Sequence, residues 1–129
     1  MKAFLSNYRQ SPRKVRLVAD AVVGKGAPEA LRILAVMVKR SATPLHKLLA
    51  SAVANAKQNE GVAAENLVVK RFTVEAGPTM KRIMPRARGS AAQILKRTSR
   101  VFVELAASAI SEKAITRKLK VKGAEKKLS

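Results

Sequence analysis

Between Gly77 and Arg100 the chain carries Lys81, Arg82, Arg86, Arg88, Lys96, Arg97 and Arg100 and no acid; the nearest carboxylates are Glu75 and Glu104. A run of like charge cannot be buried without partners, so this stretch must lie on the surface and needs a polyanion against it. Its flanks are β-compatible, while the centre from Pro85 to Ala92 holds a proline and a glycine that interrupt any ladder. The pattern predicts two strands joined at a tip, a basic β-hairpin arm over about 76–100. Roughly 12 residues per side at about 3.4 Å each would carry the tip on the order of 40 Å from the body. A two-stranded ribbon of that length is marginal in water, so its partner must help to order it.

The rest of the chain must supply the body. Phe4, Leu5 and Tyr8 within residues 2–9 follow no helix cap and suit an edge strand. Ser11-Pro12 reads as an N-cap with proline at the first helical position, where its missing N–H costs nothing. Val15, Val18, Ala19 and Val22 then share one face, Arg13, Arg16 and Asp20 lie roughly opposite, and Gly24-Lys25-Gly26 is expected to stop the helix. Pro28-Glu29 opens a second, short helix whose buried stripe is Ala30, Leu31, Leu34 and either Met37 or Val38. In the third, Leu45, Leu48, Leu49, Ala52, Val53 and Ala56 keep helical spacing throughout, which marks the central core helix. With Ser41 as its cap, Pro44 falls at the third helical position, among donors that have no acceptor inside the helix. A strand follows from Asn66 to Glu75, alternating through Val68, Lys70, Phe72 and Val74, and a return strand runs from about Gln93 to Leu105. These elements predict an α+β fold, with three helices packed on a small antiparallel sheet of about three strands and the arm protruding from it. The expected organisation is one globular RNA-binding domain over 1–105, arm included, and a basic C-terminal tail over 106–129. Within that tail, alanine and lysine would support a helix from about Ser108 to Leu119 when it is ordered.

Charge then narrows the partner. With 27 Lys and Arg against 8 Asp and Glu, the formal charge is +19, which points to nucleic acid. The chain has no Trp, one Tyr and no apolar run near membrane-spanning length, so it lacks the anchors of an interfacial membrane protein. It has no cysteine, hence neither disulfides nor thiolate metal sites, and no signal-peptide pattern, so a cytosol-like compartment is expected. The single histidine, His46, sits beside Lys47 off the apolar stripe and reads as solvated or phosphate-touching rather than as a ligand or base. Without a carboxylate pair, a nucleophile–base pair or a phosphate-cradling glycine loop, nothing suggests an enzyme, a metal or a cofactor. An architectural DNA-binding protein, with a β-arm in the minor groove and Pro85 or Met84 wedged between base steps, is the alternative that charge and arm leave open.

Four motifs carry a resemblance. Ser11-Pro12-Arg13-Lys14-Val15-Arg16-Leu17-Val18-Ala19-Asp20, Ser51-Ala52-Val53-Ala54-Asn55-Ala56, the run from Gly77 through Gly89, and Lys96-Arg97-Thr98-Ser99 occur in order and at the right spacing. The chain closely resembles the bacterial-type large-subunit ribosomal protein L-twenty-two family over residues 2–105. The resemblance implies a monomer within the cytoplasmic ribosome whose body binds large-subunit ribosomal RNA near the outer end of the nascent-peptide exit tunnel. It further implies neighbouring large-subunit proteins as partners and an arm whose tip lines the tunnel and meets the nascent polypeptide. Arg100 departs from the histidine common in the family at that position, and the tail extends past the usual end.

The candidate RNA-binding residues are Arg9, Arg13, Lys14, Arg16, Lys81, Arg82, Arg86, Arg88, Lys96, Arg97 and Arg100, which can neutralise phosphates or, for Arg, stack on an unpaired base. Met84, Pro85, Arg86, Ala87, Arg88 and Gly89 are the candidate tunnel-lining tip. Ile83 and Met84 have a second possible use, as a cross-strand cluster that stabilises the hairpin.

Overall fold

The computed structural model describes residues 1–107 of the chain. Strand β1 (Lys2–Tyr8) leads into helix α1 (Pro12–Asp20), α2 (Ala27–Val36) and α3 (Ala42–Glu60). A single 3₁₀ turn at Ala64–Asn66, which the sequence pattern did not suggest, delivers the chain to β2 (Leu67–Ala76). Strands β3 (Met80–Pro85), β4 (Ala91–Lys96) and β5 (Ser99–Ala107) complete it. The fold is α+β: β1, β5 and β2 form an antiparallel sheet in that order, and β3 and β4 form a separate antiparallel pair.

The helices form where periodicity places them, and no N-cap side chain of the three makes a capping hydrogen bond. Ser11 is extended and its carbonyl accepts the Lys14 and Val15 N–H groups at 3.1 and 3.3 Å, with Pro12 as the first helical residue. Val15, Val18, Ala19 and Val22 are buried as expected. The glycine segment, however, does not end α1, which stops at Asp20. Gly24 donates to the Val69 carbonyl and the Val69 N–H to Lys25, both at 2.9 Å, so these residues tie the helical layer to β2. In α2 the buried residues are Ala27, Ala30 and Leu34; Met37 packs against the core while Val38 is 95% exposed. In α3, Leu45, Leu48, Leu49, Ala52 and Ala56 are buried and Val53 half-buried, and Gly61 closes the helix at φ 65°.

The helices cover one face of the three-stranded sheet. Ser99, Val101, Val103 and Leu105 of the central strand β5 point into that core. Alternation along β2 is not the simple one expected. Val69 pairs with Leu105 and Arg71 with Glu104, leaving Lys70 as an extra residue in a bulge. The bulge flips the parity, so Leu67 and Val69 are buried before it and Phe72 and Val74 after it, while Val68 is only half-buried. β5 also continues two residues past Leu105: Ala106 and Ala107, expected in the tail, pair with Val68 and Leu67. The helix expected from about Ser108 to Leu119 lies outside the described residues.

The return strand expected as one piece from Gln93 is two. β4 starts at Ala91, and the link Arg97-Thr98 separates it from β5, just as Gly77-Pro78-Thr79 separates β2 from β3. The β3–β4 ladder therefore has six residues a side, about 20 Å of ribbon, half the length expected.

Candidate nucleic-acid interface

The two links between sheet and ribbon meet closely. Gly77 N–H donates to the Thr98 carbonyl at 2.9 Å, and Thr98 Oγ1 donates to the Pro78 carbonyl at 2.7 Å. A Cβ at Gly77 would collide with Thr98 Oγ1, which explains why a side chain is absent there. Immediately below, β5 begins with Ser99, fully buried, whose Oγ donates to the Gln10 carbonyl at 2.6 Å. The root of the ribbon is thus pinned to the turn that precedes α1.

That pinning brings together arginines far apart in the chain. Ser11, Pro12, Arg13, Arg16, Ala76 and Arg97 line a cleft of about 360 Å³ at the root. Arg16 Nε donates to the Val74 carbonyl at 3.1 Å, which orients its guanidinium plane. Lys14 and Arg9 are exposed but do not line this cleft.

Along the ribbon, Lys81, Arg82, Arg86, Arg88 and Lys96 are exposed. At the tip, Arg86 N–H donates to the Ser90 carbonyl at 2.8 Å, and Ser90 Oγ donates to the Ala87 carbonyl at 2.9 Å. Arg88 and Gly89 follow each other at φ 56° and 71°, a left-handed pair that reverses the chain. Ile83 and Met84 do not form one cross-strand cluster. Adjacent strand residues face opposite ways: Ile83 sits across from Gln93 and is 71% exposed, while Met84 sits across from Ala92 and is 37% exposed.

Across all these sites the cations lack carboxylate partners. Among the described residues the ion pairs within 4 Å are Met1 amino to Glu60 at 3.6 Å and Lys25 to Glu29 at 3.1 Å. None of the eleven candidate cations takes part, and all are exposed. A surface of unpaired guanidinium and ammonium groups is what phosphate contact requires. Among the described residues no group of three His, Cys, Asp or Glu could hold a metal ion.

The sheet face away from the helices holds a feature that sequence reasoning missed. Phe4 and Phe102 are directly paired across β1 and β5, Phe4 is 59% exposed, and Arg71, Thr73, Glu75 and Arg100 complete a cleft of about 280 Å³. Lys2 Nζ stands 5.9 Å from the Phe102 ring centre. Arg100 was expected to serve the arm, but it belongs here, opposite Glu75 in the sheet. Arg71 was not singled out, because only the bulge at Lys70 turns it to this face.

Comparison with known proteins decides the lineage. Residues 3–106 match the family model described as Ribosomal protein L22p/L17e, a span that takes in all three helices, both sheets and the arginine cleft. The chain belongs to this family. Among curated L22p/L17e relatives, the large ribosomal subunit protein uL22 of Herpetosiphon aurantiacus is 51% identical over 102 residues, 79% of this chain and 90% of its own length. The uL22 of Mesoplasma florum is 53% identical over 102 residues, 79% of this chain and 91% of its own length. As an L22p/L17e protein it belongs to a family of structural proteins of the large ribosomal subunit.

Proposed function

We propose that the protein binds large-subunit ribosomal RNA through the basic surface around α1 and the arm root, and that β3–β4 extends as an arm whose tip lines the nascent-peptide exit tunnel. The observation that carries RNA binding is that, among the described residues, no carboxylate lies within 4 Å of any candidate cation. Arg9, Arg13, Lys14, Arg16 and Arg97 would hold the body on RNA, while Lys81, Arg82, Lys96 and Arg100 would neutralise phosphates along the arm and sheet. Family membership favours RNA over a minor groove of duplex DNA. Neighbouring large-subunit proteins are the expected protein contacts, and the described body, ending with β5, acts as one RNA-binding unit with the arm included.

The tip supports the tunnel reading by its chemistry. Met84, Pro85, Ala87 and Gly89 offer small or apolar surface, and Arg86 and Arg88 add the strong charges at that point. Such a wall fits a passing polypeptide without holding it. Subunits carrying the intact protein or one lacking residues 81–92 test this. Both forms should remain bound through a high-salt wash, while the deletion alters pausing on an arrest-prone peptide and exposes tunnel RNA bases to chemical probes. If the deleted form is stoichiometrically present and both readouts match the intact subunit, the tip does not line the tunnel.

A further inference from the structure

We infer that the cleft at the arm root seats one everted nucleotide of large-subunit RNA, its phosphate held by Arg13 and Arg97 and its base laid on the Arg16 guanidinium. This rests on the RNA-binding reading above and names the ligand of one part of it. Several features distinguish the cleft from an ordinary phosphate contact. Its volume, about 360 Å³, lies at the low end of the range of small-ligand pockets, and a phosphate group would fill only a fraction of it. The lining is mixed: Pro12 and Ala76 add apolar atoms, three arginines supply donors, and no carboxylate is among the described lining residues. Arg16 is held in plane by its Nε bond to the Val74 carbonyl, so its outer nitrogens and flat face are presented in one orientation. A fixed guanidinium plane is a stacking surface for an unpaired base, and Arg13 and Arg97 in the same lining offer donors to its phosphate.

The occupant would also have a mechanical role. Arg13 and Arg16 ride on α1, whereas Arg97 belongs to the link between β4 and β5. One nucleotide gripped by both would lock the link to the helix and so set the direction in which the arm leaves the body.

The test uses the full chain and large-subunit RNA. Nucleotide-resolution probing first locates unpaired positions whose reactivity changes on binding, and an RNA fragment spanning them is then made with each such base removed in turn. One abasic position is expected to weaken binding about tenfold, the scale of one lost stacking interaction. In Arg16→Ala and in Arg97→Ala that penalty should shrink to about twofold or less, whereas Arg88→Ala at the tip should leave it intact. Arg97 lies on an exposed link, so its variant keeps the test readable if Arg16→Ala does not fold. If the wild-type chain binds but no abasic position costs more than about twofold, the cleft is only a phosphate clamp and the inference fails while RNA binding stands. If the wild-type chain does not bind large-subunit RNA at all, the functional reading fails first and this inference goes with it.

Discussion

Ser99 occupies a fully buried position between the arm and the central strand, where its hydroxyl satisfies the Gln10 carbonyl across most of the chain's length. Replacing it by alanine leaves that carbonyl without its donor, and Ser99→Ala should lower unfolding free energy by about 1–3 kcal/mol in urea titrations. Leaving the fold stable within error would show that water reaches Gln10 and that the root is not pinned by this bond. Tyr8 permits a second check. Burial raises its phenol above the ordinary value, partly countered by Arg40. The unfolded chain therefore ionises first as pH rises, so Tyr8 contributes its full stabilisation below the unfolded pKa and loses it as pH climbs through the folded one. With one Tyr and no Trp in the chain, an absorbance titration reads this group alone. Its midpoint should lie above that of the urea-unfolded protein; coincident midpoints would mean the phenol is solvated in the fold. None of this was legible from sequence, where Tyr8 and Ser99 looked like an edge-strand residue and the end of a motif. Their roles depend on which backbone groups the fold brings beside them.

At the scale of elements, the three-stranded sheet and the ribbon differ in kind. β5 is bonded on both sides and covered by helices, whereas β3 and β4 pair with each other and every residue of β3 is exposed. A two-stranded ribbon without a covered face is marginal in water. In the free protein, amides of β3–β4 should exchange about tenfold or more faster than those of β5 and its partners in β2. Deleting residues 81–92 should leave the urea midpoint nearly unchanged. A large drop in that midpoint would mean the ribbon packs on the body and contributes to its core. The pairing of β3 with β4 was legible because an acid-free basic run between β-compatible flanks has few alternatives. Its division from the sheet was not, because Gly77 and Arg97-Thr98 break the ladder only through bonds made between the two links.

For the whole molecule, a formal charge of +19 with two ion pairs among the described residues sets up opposite responses to salt. Self-repulsion in the free protein is screened as ionic strength rises, so its melting temperature should increase between about 20 mM and about 500 mM NaCl. RNA affinity should fall steeply over the same range, since each phosphate contact releases counterions. The two trends measured on one preparation test whether these cations are held apart for a polyanion. A flat response of log K to log salt would remove the electrostatic basis of the proposed function. A melting temperature that falls with salt would show that attractive pairs, not repulsion, dominate the fold.

The sequence by itself determined the three helices, the edge position of β1 and the surface character of the basic run. These follow from local periodicity, proline placement and charge, which act over a few residues and need no knowledge of the rest of the chain. Tertiary structure alone decided the parity of β2, the split between sheet and ribbon, the Phe4–Phe102 face and the arginine cleft. Each depends on groups distant in sequence: Arg16 reaches a carbonyl 58 residues away and Ser99 one 89 residues away. A bulge at Lys70 changes which side chains face the core without changing the hydrophobic pattern that predicts a strand. The cleft follows the same logic, since Arg13, Arg16 and Arg97 become one site only when β2 and β5 pair and carry the root of the arm onto the start of α1.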